Sequence, residues 1–356
     1  MSAKGRRLTL AVLIFGAGLL AIALVSGALY EQVQRARDRE ALPQVGRSVD
    51  IGGRMLNIYC SGVGQPAIIL ETGATWTFYN TPKAMFENGV QRPGYSWVRI
   101  QRELAKFTTA CWYDRAGSGW SDAGPYPRDS ASHARDLHAL LAAAGVPPPY
   151  VLVAESSAAL DARLYTRFYP DSVAGLVMVD GVHPDFFTRA GPGRGRMARF
   201  PEFVGHSQDV AAQAFNLFGL YRLGSANRPA PPLPAGMTAS EWNTIWRLAQ
   251  APKARAALIQ DIASWVQSTT QARAAGSLGD RPLIVVSSEN SAVESASRSL
   301  WMELQTDLAR LSTRGKQMVL PESRGDLIYQ APEAIVDAVR QVLDDVRHEP
   351  GSRRIR

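Results

Sequence analysis

The chain has 356 residues, of which 46% are hydrophobic and 20% charged, and its formal net charge is +7. This composition excludes an intrinsically disordered chain, and no basic stripe interleaved with aromatic side chains supports nucleic-acid binding. Only two cysteines are present and neither lies in a Cys/His cluster, so the sequence predicts no metal site and no cofactor.

The first predicted element is an apolar helix. Residues 8–30 carry no charged side chain, and the run is long enough to span a bilayer and longer than the core of most cleaved signals. We therefore predict a basic tail at 1–7, a single-pass transmembrane anchor at 8–30 and a linker at 31–44. A removed signal, cut near Ser26-Gly27-Ala28, is the less favoured alternative.

Basic residues flank the apolar run on both sides. They precede it in the tail at 1–7 and follow it at Arg35, Arg37 and Arg39, so the charge balance does not fix the orientation of the anchor. Together with a basic tail at 347–356, these charges predict attraction to anionic membrane lipid.

The remaining chain alternates predicted strands and helices. Residues 47–60 alternate around a Gly52-Gly53 turn and predict a β-hairpin. Residues 185–276 have a helical pattern that prolines interrupt. Short buried strands are predicted at 67–70, 108–113, 151–153, 173–179, 283–286 and 317–320, and further helices at 130–144 and 332–346. This alternation predicts a parallel sheet with helices on both faces.

Ser156 lies where a predicted strand gives way to a helix. Ala154 and Ala158 flank it two positions away on each side, where a tight turn leaves little room. A serine on such a turn presents its hydroxyl at the C-terminal edge of the sheet, beside the N–H groups of a helix start. A serine in an ordinary strand–helix loop is the alternative interpretation.

The segment 113–122 (Tyr-Asp-Arg-Ala-Gly-Ser-Gly-Trp-Ser-Asp) resembles the α/β-hydrolase superfamily almost residue for residue. The initial hairpin, Glu71-Thr72-Gly73 and His183-Pro184 also fit, so the resemblance covers about residues 45–346. It implies a mostly parallel eight-stranded sheet with a helical cap after the sixth strand. The implied domains are a core at 45–184, a cap at 185–276 and the rest of the core at 277–346.

The strand order of the family also places the second strand antiparallel beside the fourth. Cys60 ends the former and Cys111 lies in the latter, so the resemblance implies a disulfide between them. A disulfide in turn predicts that the globular domain lies on the extracytoplasmic side of the membrane.

The resemblance assigns roles to several residues. Ser156 occupies the nucleophile position, and the backbone N–H groups of Ala74 and Ser157 are the implied oxyanion hole. The catalytic acid of the family follows the sixth or the seventh strand, where Asp180 and Glu289 are the candidates. A strand-end carboxylate and a solvated loop charge are the ordinary alternatives for these two residues.

The catalytic histidine of the family is missing. Its implied position is Gly325, and no histidine lies between 207 and 347. His183, at the functional edge of the predicted sheet, is the candidate for a displaced base, although the family commonly has a noncatalytic histidine there. Glu155 adds a carboxylate directly before the nucleophile. His133, in the preceding helix, is interpreted as a surface or partly buried residue.

Three functions remain open. The first is a membrane-anchored hydrolase of ester or related acyl bonds, with Ser156 in an atypical triad. The second is an inactive pseudo-hydrolase whose pocket binds a small apolar ligand or whose surface binds a protein partner. The third is non-hydrolytic proton transfer or cyclisation in the same pocket. Ancestry favours the first and the missing histidine favours the second, while the substrate and the oligomeric state stay open.

Overall fold

The computed structural model describes residues 3–74, 89–190, 202–225, 230–289, 297–321 and 326–348. Its strands are β1 (Arg47–Asp50), β2 (Met55–Ser61), β3 (Ala67–Glu71), β4 (Ala110–Tyr113), β5 (Tyr150–Glu155), β6 (Val173–Val179), β7 (Leu283–Ser288) and β8 (Gly315–Leu320). They form one sheet in the order β1-β2-β4-β3-β5-β6-β7-β8. β2 runs antiparallel to β1 and β4, and the other pairs are parallel, so the predicted eight-stranded sheet is confirmed.

The central strands are buried on both faces, as their continuous apolar sequences predict. Ile69 and Leu152 point into the core on one face of the sheet, and Ile68 and Val151 point into the core on the other. Because neighbouring side chains of a strand alternate between the two faces, both faces need a cover of helices.

Helices supply that cover on both faces. The core helices are α2 (Val98–Leu104), α3 (Ser130–Ala144), α4 (Ala158–Phe168), α11 (Arg298–Ala309), α12 (Leu327–Gln330) and α13 (Pro332–Arg347). Six further helices lie between β6 and β7 in the described part of the chain: α5 (Phe186–Arg189), α6 (Glu202–Leu217), α7 (Leu220–Ser225), α8 (Ala239–Ala249), α9 (Pro252–Ala263) and α10 (Trp265–Ala274). We call these six helices the cap, after the predicted region in which they lie. Local signals set the ends of α3: Asp129 accepts a hydrogen bond from the Ser132 N–H at its start, and Gly145 ends it at φ 69°.

The N-terminal helix α1 (Ala3–Ala41) contains the predicted anchor. It is long and apolar enough to span a membrane, and the apolar side chains of the run are exposed, as Leu13 (64%) and Phe15 (69%) show. The helix continues through most of the segment that the sequence interprets as a linker. There its side chains contact the cap: Glu31 is buried and pairs with Arg222 of α7 at 2.8 Å.

The predicted disulfide is confirmed. Cys60 and Cys111 are directly opposite in the antiparallel pair of β2 and β4, with their Cα atoms 4.1 Å apart and a bond between their sulfur atoms. The bond therefore joins the antiparallel edge of the sheet to its parallel centre.

Candidate active site

Ser156 follows β5 directly and has a strained backbone. Its φ is 55°, in the left-handed region that residues other than glycine rarely adopt. Its N–H donates to the Val179 carbonyl at 3.0 Å, and its carbonyl accepts from the Val182 N–H at 2.9 Å. The turn is thus held against the end of β6, and the next residues start α4. We call this strand–turn–helix unit the elbow.

The loop after β3 passes close to the elbow because Gly73 has no side chain. A Cβ atom at this position lies 2.3 Å from the Glu155 carbonyl oxygen and 2.7 Å from the Ser157 nitrogen. Both neighbours are backbone atoms and cannot swing away. Glycine is therefore required where the loop brings Ala74 beside Ser156.

The two predicted oxyanion donors lie together, but one of them is already engaged. The Ala74 N–H donates to the Ser157 hydroxyl oxygen at 3.0 Å, and the Ser156 hydroxyl donates to the Ala74 carbonyl at 3.2 Å. In this arrangement the Ala74 carbonyl holds the proton of the predicted nucleophile. A rotation of the Ser157 side chain frees the Ala74 N–H to bind an anion.

The structure distinguishes the two acid candidates. Asp180 is buried beside the elbow, between Val179 and Val182, and its Oδ1 accepts from the Ser288 N–H at 3.0 Å. Burial raises its pKa to about 8, although that hydrogen bond opposes the shift. Glu289 is exposed at the end of β7. Of the two, Asp180 is the carboxyl that adjoins the elbow.

His183 makes its contacts with the start of α5. Its Nδ1 accepts from the Asp185 N–H at 3.1 Å, and burial lowers its pKa to about 4. A neutral imidazole that accepts through Nδ1 carries its proton on Nε2. That tautomer leaves no ring nitrogen free to take the proton of Ser156, so this geometry counts against His183 as the base. The assignment of His183 as a displaced base stays a prediction.

Sequence reasoning missed a buried arginine beside the elbow. Gly325, the implied histidine position, lies outside the described residues, but Asp326 follows it. Arg92 Nη1 contacts both carboxylate oxygens of Asp326 at 2.7 Å, and Nη2 donates to Glu155 at 2.9 Å. Glu155 also accepts from the Gly73 N–H at 3.0 Å. We call Arg92, Glu155 and Asp326 the Arg92 cluster.

Burial determines the electrostatics of the Arg92 cluster. The side chains of Arg92 and Glu155 are only 5% and 6% exposed, and burial raises the pKa of Glu155 to about 7 against the opposing charge of Arg92. The sequence carried one signal of this arrangement, since a carboxylate in a buried turn needs a basic partner. It did not identify Arg92, which is far away along the chain.

A second buried cluster contains a histidine. His133 Nδ1 lies 2.9 Å from Asp161 Oδ2 and its Nε2 lies 3.4 Å from Asp261 Oδ1, while Arg115 contacts Asp161 at 2.8 Å. Burial and Arg115 oppose protonation of the imidazole, but Asp161 and Asp261 outweigh them and raise its pKa. We call these four residues the His133 cluster.

The His133 cluster connects the core with the cap. His133 is 5% exposed, so its interpretation as a surface or partly buried residue was wrong. Asp161 belongs to α4 and Asp261 to the cap helix α9, and a small cavity between them is also lined by Ser157. Within the described ranges, no group of three or more histidine, cysteine or acidic residues is placed to hold a metal ion.

Comparison with known proteins gives the same fold. A family model described as the alpha/beta hydrolase fold matches residues 88–219. An esterase from Thermogutta terrifontis is 20% identical with a TM-score of 0.57, over 85% of this chain and 99% of that one. A putative lipase from Acinetobacter baumannii is 17% identical with a TM-score of 0.60, over 89% of this chain and 96% of that one. At these identities the likeness shows the fold.

A curated relative carries the same family description. The AB hydrolase superfamily protein of Gibberella zeae is 33% identical over 33% of this chain and 37% of its own length. The chain spans less than half of the length of the curated relatives it matches. With the sheet order, the elbow and the segment 113–122, these matches show that the chain has the α/β-hydrolase fold.

Proposed function

We propose that this protein is a membrane-anchored hydrolase that cleaves ester or related acyl bonds through Ser156, with an atypical charge arrangement in place of the family triad. The observation that carries the proposal is the backbone of Ser156. A buried serine held at φ 55° between a strand and a helix is costly, and such strain clusters at functional sites.

The surroundings of Ser156 suit the stabilisation of negative charge on an acyl group. Ser157 is the N-cap residue of α4, whose N–H groups and dipole favour an anion at this end of the helix. Asp180, buried beside the elbow, is the proposed acid. The esterase and lipase described for the structural neighbours agree with ester chemistry, although their likeness extends only to the fold.

A second candidate function is ligand binding without catalysis. The observation that favours it is the mutual engagement of the reactive groups: the Ser156 hydroxyl donates to the Ala74 carbonyl, and the Ala74 N–H donates to Ser157. A serine hydroxyl needs a base whose pKa is near neutral before it can attack an acyl group. Loss of the triad histidine lowers the kcat of a serine protease about a millionfold. A pseudo-hydrolase keeps the elbow and needs no base.

The proposed location is a membrane, with residues 8–30 as the single-pass anchor and the globular domain on the extracytoplasmic side. The side is argued from the Cys60–Cys111 bond, because disulfides persist in oxidising compartments. The partners proposed are a small apolar or acyl substrate and membrane lipid.

The deciding experiment uses a fluorophosphonate probe on the full-length protein. On the hydrolase proposal, the probe labels Ser156, mass spectrometry places the adduct on that residue, and Ser156→Ala loses it. Ser172→Ala, which changes an intermediately exposed serine at the end of a short helix, is the matched control and keeps the labelling. Wild-type labelling no greater than that of Ser156→Ala contradicts the hydrolase proposal and leaves the ligand-binding function.

A gain-of-function variant tests whether only the base is missing or whether the rest of the site is also unable to support hydrolysis. Gly325→His supplies an imidazole at the position from which the base of the family acts. If wild type is inert and Gly325→His hydrolyses simple esters, the nucleophile, acid and oxyanion donors are in place and only the base is missing. If both are inert, the pocket itself is not arranged for hydrolysis.

A further inference from the structure

Exposed apolar side chains surround the connection between α6 and α7 of the cap. These are Phe215 (46% exposed), Leu217 (52%), Leu220 (46%) and Leu223 (65%). We call these four residues the junction patch. The inner face of α6 is already covered, since Ala212 is buried against Ile259 of α9. The patch is therefore not the uncovered part of the cap core, and exposed apolar side chains concentrated at one junction indicate a candidate interaction site.

The junction patch lies beside the apolar run of α1. A Cβ atom at Gly27 is 2.6 Å from the Phe218 carbonyl oxygen, and one at Gly219 is 3.4 Å from Tyr30 Cδ1. Gly27 precedes the end of the run by three residues, which is about 4.5 Å along a helix. When residues 8–30 cross a bilayer, the connection at 218–219 therefore lies level with the outermost part of the apolar run.

Ion pairs fix the cap in this position on the water side of the run. Arg222 of α7 contacts Glu31 at 2.8 Å and Asp38 at 2.9 Å, and Arg247 of α8 contacts Asp38 at 3.4 Å. Glu31 directly follows the apolar run and is 1% exposed. The cap is thus attached to α1 where α1 leaves the membrane. It cannot move away from the bilayer surface without breaking these contacts.

We propose that the junction patch is a membrane-contact surface, and that Phe215, Leu217, Leu220 and Leu223 insert into the bilayer that holds α1. The inference rests on the proposed anchoring by residues 8–30. Apolar faces of interfacial helices bury about 5–10 Å into the boundary between headgroups and acyl chains. The 218–219 connection contacts α1 near the end of the apolar run, at Gly27 and Tyr30, and this position agrees with burial to that depth. The exposed Arg37 and Arg39 lie further along α1, where anionic headgroups attract them.

The test measures contact with lipid in the full-length protein, reconstituted at one copy per lipid nanodisc. Single cysteines are introduced by Leu220→Cys in the patch, Leu19→Cys in the apolar run and Val319→Cys on the edge strand β8. Each carries an environment-sensitive fluorophore, and the lipids carry nitroxide quenchers at shallow or deep acyl positions. Val319 is the matched control, because it is 43% exposed and Leu220 is 46% exposed.

We expect shallow quenchers to reduce the fluorescence at position 220 at least threefold more than at 319, and deep quenchers to act on position 19. Equal quenching at 220 and 319, with position 19 quenched, overturns the membrane contact and leaves the anchor standing. If position 19 is not quenched, the anchor itself is wrong. Quenching at 220 that requires several copies per disc means that a second copy covers the patch, and this also overturns the proposal.

A substitution provides an independent check. Leu220→Asp with Leu223→Asp places charges in the patch, and quenching of a probe at position 217 is expected to fall to the level of the control at 319. Retention of fluorophosphonate labelling, or of the far-ultraviolet circular dichroism where wild type is inert, shows that the variant is folded. Unchanged quenching at 217 in the folded variant contradicts insertion of the patch.

Discussion

Two charge clusters adjoin the elbow, and they differ in the groups that they contain. The Arg92 cluster lies next to position 325, where the family has its base, but it contains an arginine and two carboxylates. The His133 cluster contains a histidine–aspartate pair, but it shares a cavity with Ser157 rather than holding Ser156. The strained turn at Ser156, the proposed nucleophile, therefore lies beside two charge clusters of different composition.

The two clusters also differ in what they connect. Arg92 joins Glu155, the residue before Ser156, to Asp326 at the start of α12, entirely within the core. The His133 cluster joins α3 and α4 of the core to α9 of the cap through Asp261. We therefore expect substitutions in the Arg92 cluster to affect the elbow and the stability of the core. Substitutions in the His133 cluster are expected to affect the packing of the cap on the core.

Removal of the Arg92 guanidinium is the largest expected effect. Arg92→Met leaves Glu155 and Asp326 without their cation, and breaking such a buried pair costs about 3–5 kcal/mol of unfolding free energy. Chemical denaturation measures this loss. Adding Glu155→Gln to the same chain is expected to recover part of the loss, because the buried negative charge is then gone.

An exposed ion pair is the matched control for that variant. Arg340 and Asp337 form a contact at 3.1 Å with side chains 51% and 59% exposed, so Arg340→Met is expected to cost less than about 1 kcal/mol. Equal losses for Arg92→Met and Arg340→Met contradict the structural importance of the Arg92 cluster.

The elbow itself is tested by filling the space at Gly73. Gly73→Ala forces a methyl group against the Glu155 carbonyl and the Ser157 nitrogen, and overpacking of this kind costs about 1–3 kcal/mol. If Ser156 is reactive, fluorophosphonate labelling falls as well, because the oxyanion donors move. Gly175→Ala is the control for crowding away from the elbow, since its added methyl group meets the Val342 side chain at 2.6 Å and the Pro282 carbonyl oxygen at 3.1 Å. A loss of labelling in Gly175→Ala alone runs against this explanation.

The pH dependence of stability separates the two clusters. Burial raises the pKa of Glu155 from its ordinary value of 4.5 to about 7 in the folded protein. Its contribution to the unfolding free energy is therefore complete below pH 4.5 and is lost as the pH rises through 7. The pKa of His133 is raised above 6.5. Its contribution to the unfolding free energy is therefore complete below pH 6.5 and is lost at higher pH. Each group changes the unfolding free energy by up to about 1.4 kcal/mol per pH unit within its range.

Two variants isolate these windows. Glu155→Gln is expected to flatten the fall in unfolding free energy between pH 4.5 and 7, and His133→Gln is expected to act above pH 6.5. Denaturation at a series of pH values measures both. If His133→Gln flattens the lower window as strongly as Glu155→Gln, the clusters titrate as one unit and the comparison fails.

The strands of the sheet could be predicted because a short run of neighbouring residues indicates each of them. Continuous apolar runs such as 173–179 predict buried parallel strands, and the structure gives β6 these same bounds. The Cys60–Cys111 pairing followed from the strand order of the family. Helix α1 continued beyond its predicted end because contacts with Arg222 stabilise residues that show no apolar pattern.

The charge clusters were not predictable in the same way. Arg92 meets Glu155 across a sequence separation of 63 residues, and His133 meets Asp261 only because the cap folds back over the core. No local pattern encodes such pairs, since a charged side chain in a turn or on a helix has the same sequence whether it is solvated or buried. The elbow was recognised from its small flanking residues, while the engagement of Ala74 by Ser157 depends on a rotamer.

The smallest expected effect concerns His183, which belongs to neither cluster. If Ser156 is labelled, His183→Gln is expected to change the labelling rate at neutral pH by less than about threefold, or about 0.6 kcal/mol, because the imidazole accepts from Asp185 and carries its proton on Nε2. Its pKa of about 4 also makes it a weak base. Labelling rates from pH 5 to 8 measure the effect, with Glu155→Gln compared in the same series. A loss of two orders of magnitude in His183→Gln shows that His183 is the displaced base after all, and that its imidazole turns towards Ser156 during the reaction.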